Sequence, residues 1–191
     1  MNQFADEDIA LFETPEAWAQ WLLENHRSKP SLWLKIAKKA APNPSVSYDQ
    51  ALDVALCFGW IDGIKKSLDE HYFLQRFTPR RKGSIWSKRN VEKALQLVDA
   101  GKVQAAGLAE IKAAQADGRW EKAYDSAKAM VIPEDFLVAL QGNSAAEAYY
   151  RTLNKTSLFA IGFRLQTAKT AETRQRRIAA ILKLLESGQG L

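Results

Sequence analysis

One cysteine, two histidines and no long apolar run set the first bounds on this 191-residue chain. Cys57 alone can form neither an internal disulfide nor a cysteine-based zinc cluster. It sits in the apolar run Ala51–Phe58, where it reads as a small buried hydrophobe rather than a reactive thiol. His26 and His71 are not at ligand spacing, so the sequence supports no metal site. It contains no Walker A pattern, dinucleotide fingerprint or G-x-S-x-G elbow, and it calls for no cofactor. No apolar stretch approaches about 18 residues, so no membrane insertion is expected. The first residues carry Asp6, Glu7 and Asp8 without the basic and apolar regions of a signal peptide, and the expected location is cytoplasmic.

What is present is an ordinary globular composition, 47% hydrophobic and 26% charged. The length suits one domain and a core that needs no metal or disulfide. The net charge of +5 is unevenly spread. Residues 1–63 hold five basic and nine acidic side chains, whereas 64–104 hold ten basic and four acidic. Such a basic region either attracts an anionic partner or is simply solvated.

The first part mixes helix and strand signals. Thr14-Pro15-Glu16 reads as a helix start, with Trp18, Trp21 and Leu22 on one side and Pro30 beyond its end. Ser31–Ala37 reads as a strand, with Leu32, Leu34 and Ile36 on one face and Trp33 and Lys35 on the other. Ser47-Tyr-Asp-Gln50 has the form of a capping box opening a helix that closes near Gly59. Trp60-Ile-Asp-Gly63 reads as an Asp-Gly turn, followed by a hairpin of Ile64–Leu68 with the aromatic strand His71–Phe77. Beyond the basic segment the pattern is helical. Val91, Leu95 and Val98 mark one helix, Leu108 and Ile111 a second, and Pro133 opens a third. Ser144 caps a fourth, Thr156–Gln166 is a fifth, and Thr170 caps a last one with the stripe Ile178, Ile181, Leu182 and Leu185. The expected class is α+β: a small mixed N-terminal part with a short antiparallel sheet, then an all-helical C-terminal part. We expect one compact domain over 1–191, with 1–85 and 86–191 as subdomains if it divides.

The densest chemistry lies in Arg76–Asn90, with six basic residues and no acidic one. Guanidinium forks suit carboxylate and phosphate, and serine hydroxyls with helix-start N–H groups complete an anion cradle. Ser87 or Asn90 would cap the following helix, and Trp86 would pack on a guanidinium or stack on a base. The expected ligand-binding set is therefore Arg76, Arg80, Arg81, Ser84, Trp86, Ser87 and Arg89. The alternative is that the serine and asparagine only cap, Trp86 is core and the arginines pair internally. Asp62 either orients Arg80 or Arg81, acts as an acid or base, or belongs to a turn; His71 is the other acid–base candidate. Arg174, Arg176 and Arg177 form a second basic patch around the last helix.

Several blocks resemble a known family: Gly59–Gly63, Arg76–Arg81, Ser84–Asn90, Asp117–Trp120 with Tyr124, and Ala168-Lys169 through Glu172–Arg174. Their order is similar to that of the YdeI/OmpD-associated, or bacteriocin-protection, proteins over about Trp33 to Ile181. The resemblance implies bacterial stress tolerance, including protection from bacteriocins or cationic antimicrobial peptides. It supplies no defined reaction. Three functional readings stay open: an anion-binding stress-tolerance protein, a nucleic-acid-binding module, or an enzyme acting on a phosphorylated or carboxylated metabolite. The sequence names no protein partner.

Overall fold

The computed structural model describes residues 8–190, so most of the acidic N-terminal stretch lies outside the described residues. The class is α+β, with the strands in the N-terminal part and the later chain helical. The elements fall into two compact units. One runs through Trp86 and includes Asn90–Lys122; the other comprises Ser87–Arg89 and the chain from Ala123 onward.

The first unit is built on a four-stranded sheet. Its strands are β1 (Ile9–Ala10), β2 (Leu32–Ala37), β3 (Trp60–Ser67) and β4 (Tyr72–Pro79), in the order β1-β2-β4-β3. The β2–β4 and β4–β3 pairs are antiparallel as expected. The two-residue β1, too short to announce itself, adds a parallel edge on β2. Helix α1 (Pro15–Asn25) starts where Thr14 accepts from the Ala17 N–H at 3.3 Å, with proline in the first turn, where its missing N–H costs nothing. Helix α2 (Tyr48–Cys57) begins with the full capping box of Ser47 and Gln50.

These elements meet on Trp18, which is fully buried and donates its indole N–H to the Ala51 carbonyl at 3.1 Å. Its ring lies 5.3–6.3 Å from those of Phe12, Trp21, Trp60 and Phe77. Leu32, Leu34 and Ile36 are buried as the alternation predicts. Trp33, expected on the outer face, is also only 3% exposed, and the Lys66 ammonium lies 5.0 Å from its ring centroid. Lysine stems shield aromatic surface there while their charges stay near water.

Asp62-Gly63 is not a turn. Both residues lie inside β3, at a register shift between Asp62 and Lys65. The bulge takes main-chain groups out of the ladder. Gln75, 3% exposed, donates its amide to the freed Gly63 carbonyl at 3.0 Å. A buried amide thus keeps the irregular strand satisfied.

Helices α3 (Lys88–Asp99) and α4 (Ala105–Ala116) follow the sheet. Gly107 of α4 packs on the end of α2, where an added Cβ would lie 2.4 Å from the Cys57 carbonyl oxygen. The second unit holds α5 (Glu134–Gln141), α6 (Ser144–Tyr150), α7 (Lys155–Gln166) and α8 (Ala171–Glu186). Its core is Phe136, Leu140, Ala146, Ile161, Leu165, Ile181 and Leu185. The cap of α6 is Asn143, not Ser144, since Asn143 Oδ1 accepts from the Ala146 N–H at 3.0 Å. An asparagine one residue earlier supplies the same bond, and Ser144 becomes the first helical residue.

All six tryptophans (18, 21, 33, 60, 86 and 120) lie in the first unit, so indole fluorescence reports its unfolding alone. Gly107→Ala should lower that unit's stability by about 3 kcal/mol, because backbone must move to admit the methyl group. The urea midpoint read by indole emission checks this, and an unchanged midpoint would contradict the close α2–α4 approach.

Candidate functional site

The basic segment leaves the sheet at a fixed point. Pro79 closes β4 opposite Trp60, and the Arg80 N–H donates to the Gly59 carbonyl at 2.9 Å. From there the Arg80 side chain turns inward. It is 7% exposed, its guanidinium carbon lies 3.5 Å from the Trp86 ring centroid, and Nη1 donates to the Ile85 carbonyl at 3.3 Å. Trp86 is itself 2% exposed and packs at 4.8 Å on Trp120. A desolvated cation over an indole face contributes about 2 kcal/mol, enough to hold a short loop.

The turn above this stack closes on itself. The Ser84 N–H donates to the Arg81 carbonyl at 2.9 Å, and the Arg81 N–H to Ser84 Oγ at 3.0 Å. Gly83 sits at φ +79°, a conformation that favours glycine. From 35 residues away, Arg119 Nη1 donates to the Ser84 carbonyl at 2.6 Å, while its Nε contacts both Asp117 oxygens at 2.7 and 2.8 Å. Arg119 is the residue that sequence reading missed as part of this site. Its only sequence signal is its place in the Asp117–Trp120 block.

The predicted ligand-binding residues therefore have different fates. Arg81 and the neighbouring Lys82 are exposed, and neither has an ion pair among the described residues. Arg80 and Trp86 face inward, and the Ser84 hydroxyl is spent on the turn. Arg76 is half-buried on β4, in register with Trp33. Ser87 and the exposed Arg89 group with the second unit. Ser87 immediately precedes α3, so Asn90, the alternative cap, lies in the helix's first turn.

Of the acid–base candidates, Asp62 accepts from Tyr48 Oη at 2.7 Å. His71 precedes β4, with its N–H on Asp69 Oδ1 at 2.8 Å and its ring Nε2 3.2 Å from Glu70. Arg80 follows the other end of that strand. Nine extended residues span about 30 Å, which separates His71 from Arg80 along the strand.

In the second unit, Arg174 and Arg177 are built in rather than merely solvated. Arg174 grips Asp135 at 2.6 and 2.8 Å and donates Nη1 to the Leu165 carbonyl at 2.8 Å. Arg177 Nη1 donates to the Arg164 carbonyl and to Thr167 Oγ1. The Arg174 hydrogen bonds hold the Asp135 carboxyl below its usual range; Lys88 and then Gln166 do the same for Asp125. Among the described residues no cluster of histidine, cysteine, aspartate and glutamate could hold a metal ion, and no helix is long and apolar enough to cross a membrane.

Comparison with known proteins divides the chain similarly. Residues 10–110 match a domain of unknown function (DUF8412), and residues 129–188 match the family described as bacteriocin-protection, YdeI or OmpD-associated. The Gly59–Gly63 and Arg76–Asn90 blocks lie in the first match, and Ala168–Arg174 in the second. Searches of curated proteins and of solved structures returned no match.

Arg119→Ala should loosen the Arg81–Ser84 turn and speed tryptic cleavage after Arg81 or Lys82 about tenfold, since cleavage needs local opening. Unchanged cleavage would show that Arg119 does not hold the turn. Asp135 titrates lower in the folded than in the unfolded chain. Its stabilisation is thus present above the ordinary carboxylate value and lost as pH falls through the folded one. With Asp135 47% exposed, Asp135→Asn should cost only about 0.5–1 kcal/mol at neutral pH and less at an acid pH below the ordinary carboxylate range. Amide exchange across α8 at both pH values measures it.

Proposed function

We propose, for a chain that belongs to the DUF8412 family over residues 10–110 and carries the bacteriocin-protection match over 129–188, a cytoplasmic stress-tolerance role exercised by binding an anion. The binding element is the exposed turn Arg81-Lys82-Gly83. The observation that carries this reading is a division of labour among neighbouring cations. Arg80 and Arg119 are turned inward and brace the turn, while Arg81 and Lys82 point to solvent without an ion pair among the described residues. A braced cationic turn loses little freedom on binding, so more of its attraction for an anion appears as affinity.

The proposed ligand presents oxyanions rather than bases. Trp86 is buried under Arg80 and Trp120, which removes the aromatic platform that single-stranded nucleic acid would stack on. Backbone phosphates of a nucleic acid meet the turn only as any polyanion would. The position of His71 before the other end of β4 supports a reading in which it takes no part at the turn. The reading therefore assigns binding and no reaction to the turn.

Inorganic polyphosphate is the probe. Two cationic contacts predict binding that weakens about tenfold between 50 and 200 mM salt. The double variant Arg81→Glu/Lys82→Glu should abolish it, whereas Arg76→Gln should leave it unchanged. Titration by calorimetry reads both outcomes, and full binding by the double variant would falsify the assignment. A single-stranded oligonucleotide that binds far more tightly than polyphosphate of equal charge would favour base recognition instead.

A further inference from the structure

Helices α7 and α8 enclose an open cavity of about 310 Å³, lined by Phe163, Arg164, Thr167, Arg177, Ala180 and Ile181. That volume is at the lower end of small-molecule sites. Phe163, Ala180 and Ile181 give it an apolar wall; Arg164 and Arg177 give it positive charge, and no carboxylate lines it. A cavity of this composition favours a ligand with an anionic head and an apolar body.

The orientation of Arg177 narrows the choice of head. Its Nη1 donates to the Arg164 carbonyl and to Thr167 Oγ1 at 3.2 Å. The Thr167 hydroxyl donates in turn to the Phe163 carbonyl at 2.7 Å, which leaves its lone pairs to accept from Arg177. The guanidinium is thus held by one nitrogen. Its Nε–Nη2 edge, whose parallel N–H groups match the two oxygens of a carboxylate, has no carboxylate partner among the described residues.

Arg174, three residues earlier on the same helix, shows what that edge accepts. It too is anchored by Nη1 on a carbonyl of α7, that of Leu165, and its Nε and Nη2 hold the two Asp135 oxygens at 2.6 and 2.8 Å. Arg177 repeats the anchoring, on the carbonyl of Arg164, but lines a cavity where Arg174 holds an aspartate. We infer that the α7–α8 cavity is a binding site for a small carboxylate with an apolar body, gripped side-on by Arg177 and attracted by Arg164. The site is separate from the Arg81-Lys82-Gly83 turn and stands or falls independently of it.

Benzoate is the probe, followed through backbone amide shifts of α7 and α8 in the full chain. Benzoate should produce saturable shifts confined to these helices, while benzyl alcohol and inorganic phosphate should bind at least about tenfold more weakly. Arg177→Lys keeps the charge but loses the fork, and should weaken benzoate about tenfold. Ala180→Phe leaves Arg177 in place and fills the cavity, so it should abolish binding while the α5 and α6 amides keep their positions. Absence of saturable benzoate shifts overturns the proposal. So does undiminished binding in either variant, or phosphate binding as tightly as benzoate.

Discussion

The first unit depends on the burial of Trp18. Among the described residues no other side chain there is at once fully buried, hydrogen-bonded through its polar atom to α2, and in ring contact with residues of α1, β3 and β4. An indole of this size dominates the packing energy of a small core, and truncating one costs about 3–5 kcal/mol. Because Phe77 and Trp60 pack on it, Trp18 also sets the end of β4 and the start of β3. The basic segment leaves the sheet from that end, so its starting direction is a consequence of the aromatic core.

Past that exit, charge performs structural work. Arg80 lies over Trp86, and Arg119 joins a backbone carbonyl to Asp117. The same economy recurs in the second unit, where Arg174 of α8 links the Leu165 carbonyl of α7 to Asp135, and Arg177 of α8 holds the Arg164 carbonyl and the Thr167 hydroxyl at the end of α7. A guanidinium serves well here because its five donors allow one edge to be anchored while another remains for a second partner. The modest surplus of +5 therefore overstates the charge free to meet a ligand. Arg81 and Lys82 carry no such second duty among the described residues and face solvent.

Most of the fold was legible because its signals are local. Thr14, the Ser47–Gln50 box and Thr170 cap their helices through bonds that span three residues, and the chain order alone displays them. The stripe of α8 and the alternation of β2 are likewise periodicities of neighbouring residues. Misreadings arose where two local signals competed. Asp62-Gly63 has turn composition, yet pairing with β4 and the buried amide of Gln75 keep it in a bulged strand. Ser144 and Asn143 are both good caps, and the geometry of the preceding loop selects the asparagine.

The sequence by itself determined most element types, the α+β class, most helix starts and the location of the densest basic segment, since each follows from residues within a few positions of one another. Tertiary structure alone decided which of that segment's side chains turn inward and which reach solvent. Arg80 reads like Arg81 in sequence, but one meets an indole that Trp120 helps to bury and the other meets water. It also decided that Arg174 finds an aspartate 39 residues away while Arg177 finds a cavity. A guanidinium's role is set by what folding brings to each of its edges, and those partners come from distant parts of the chain.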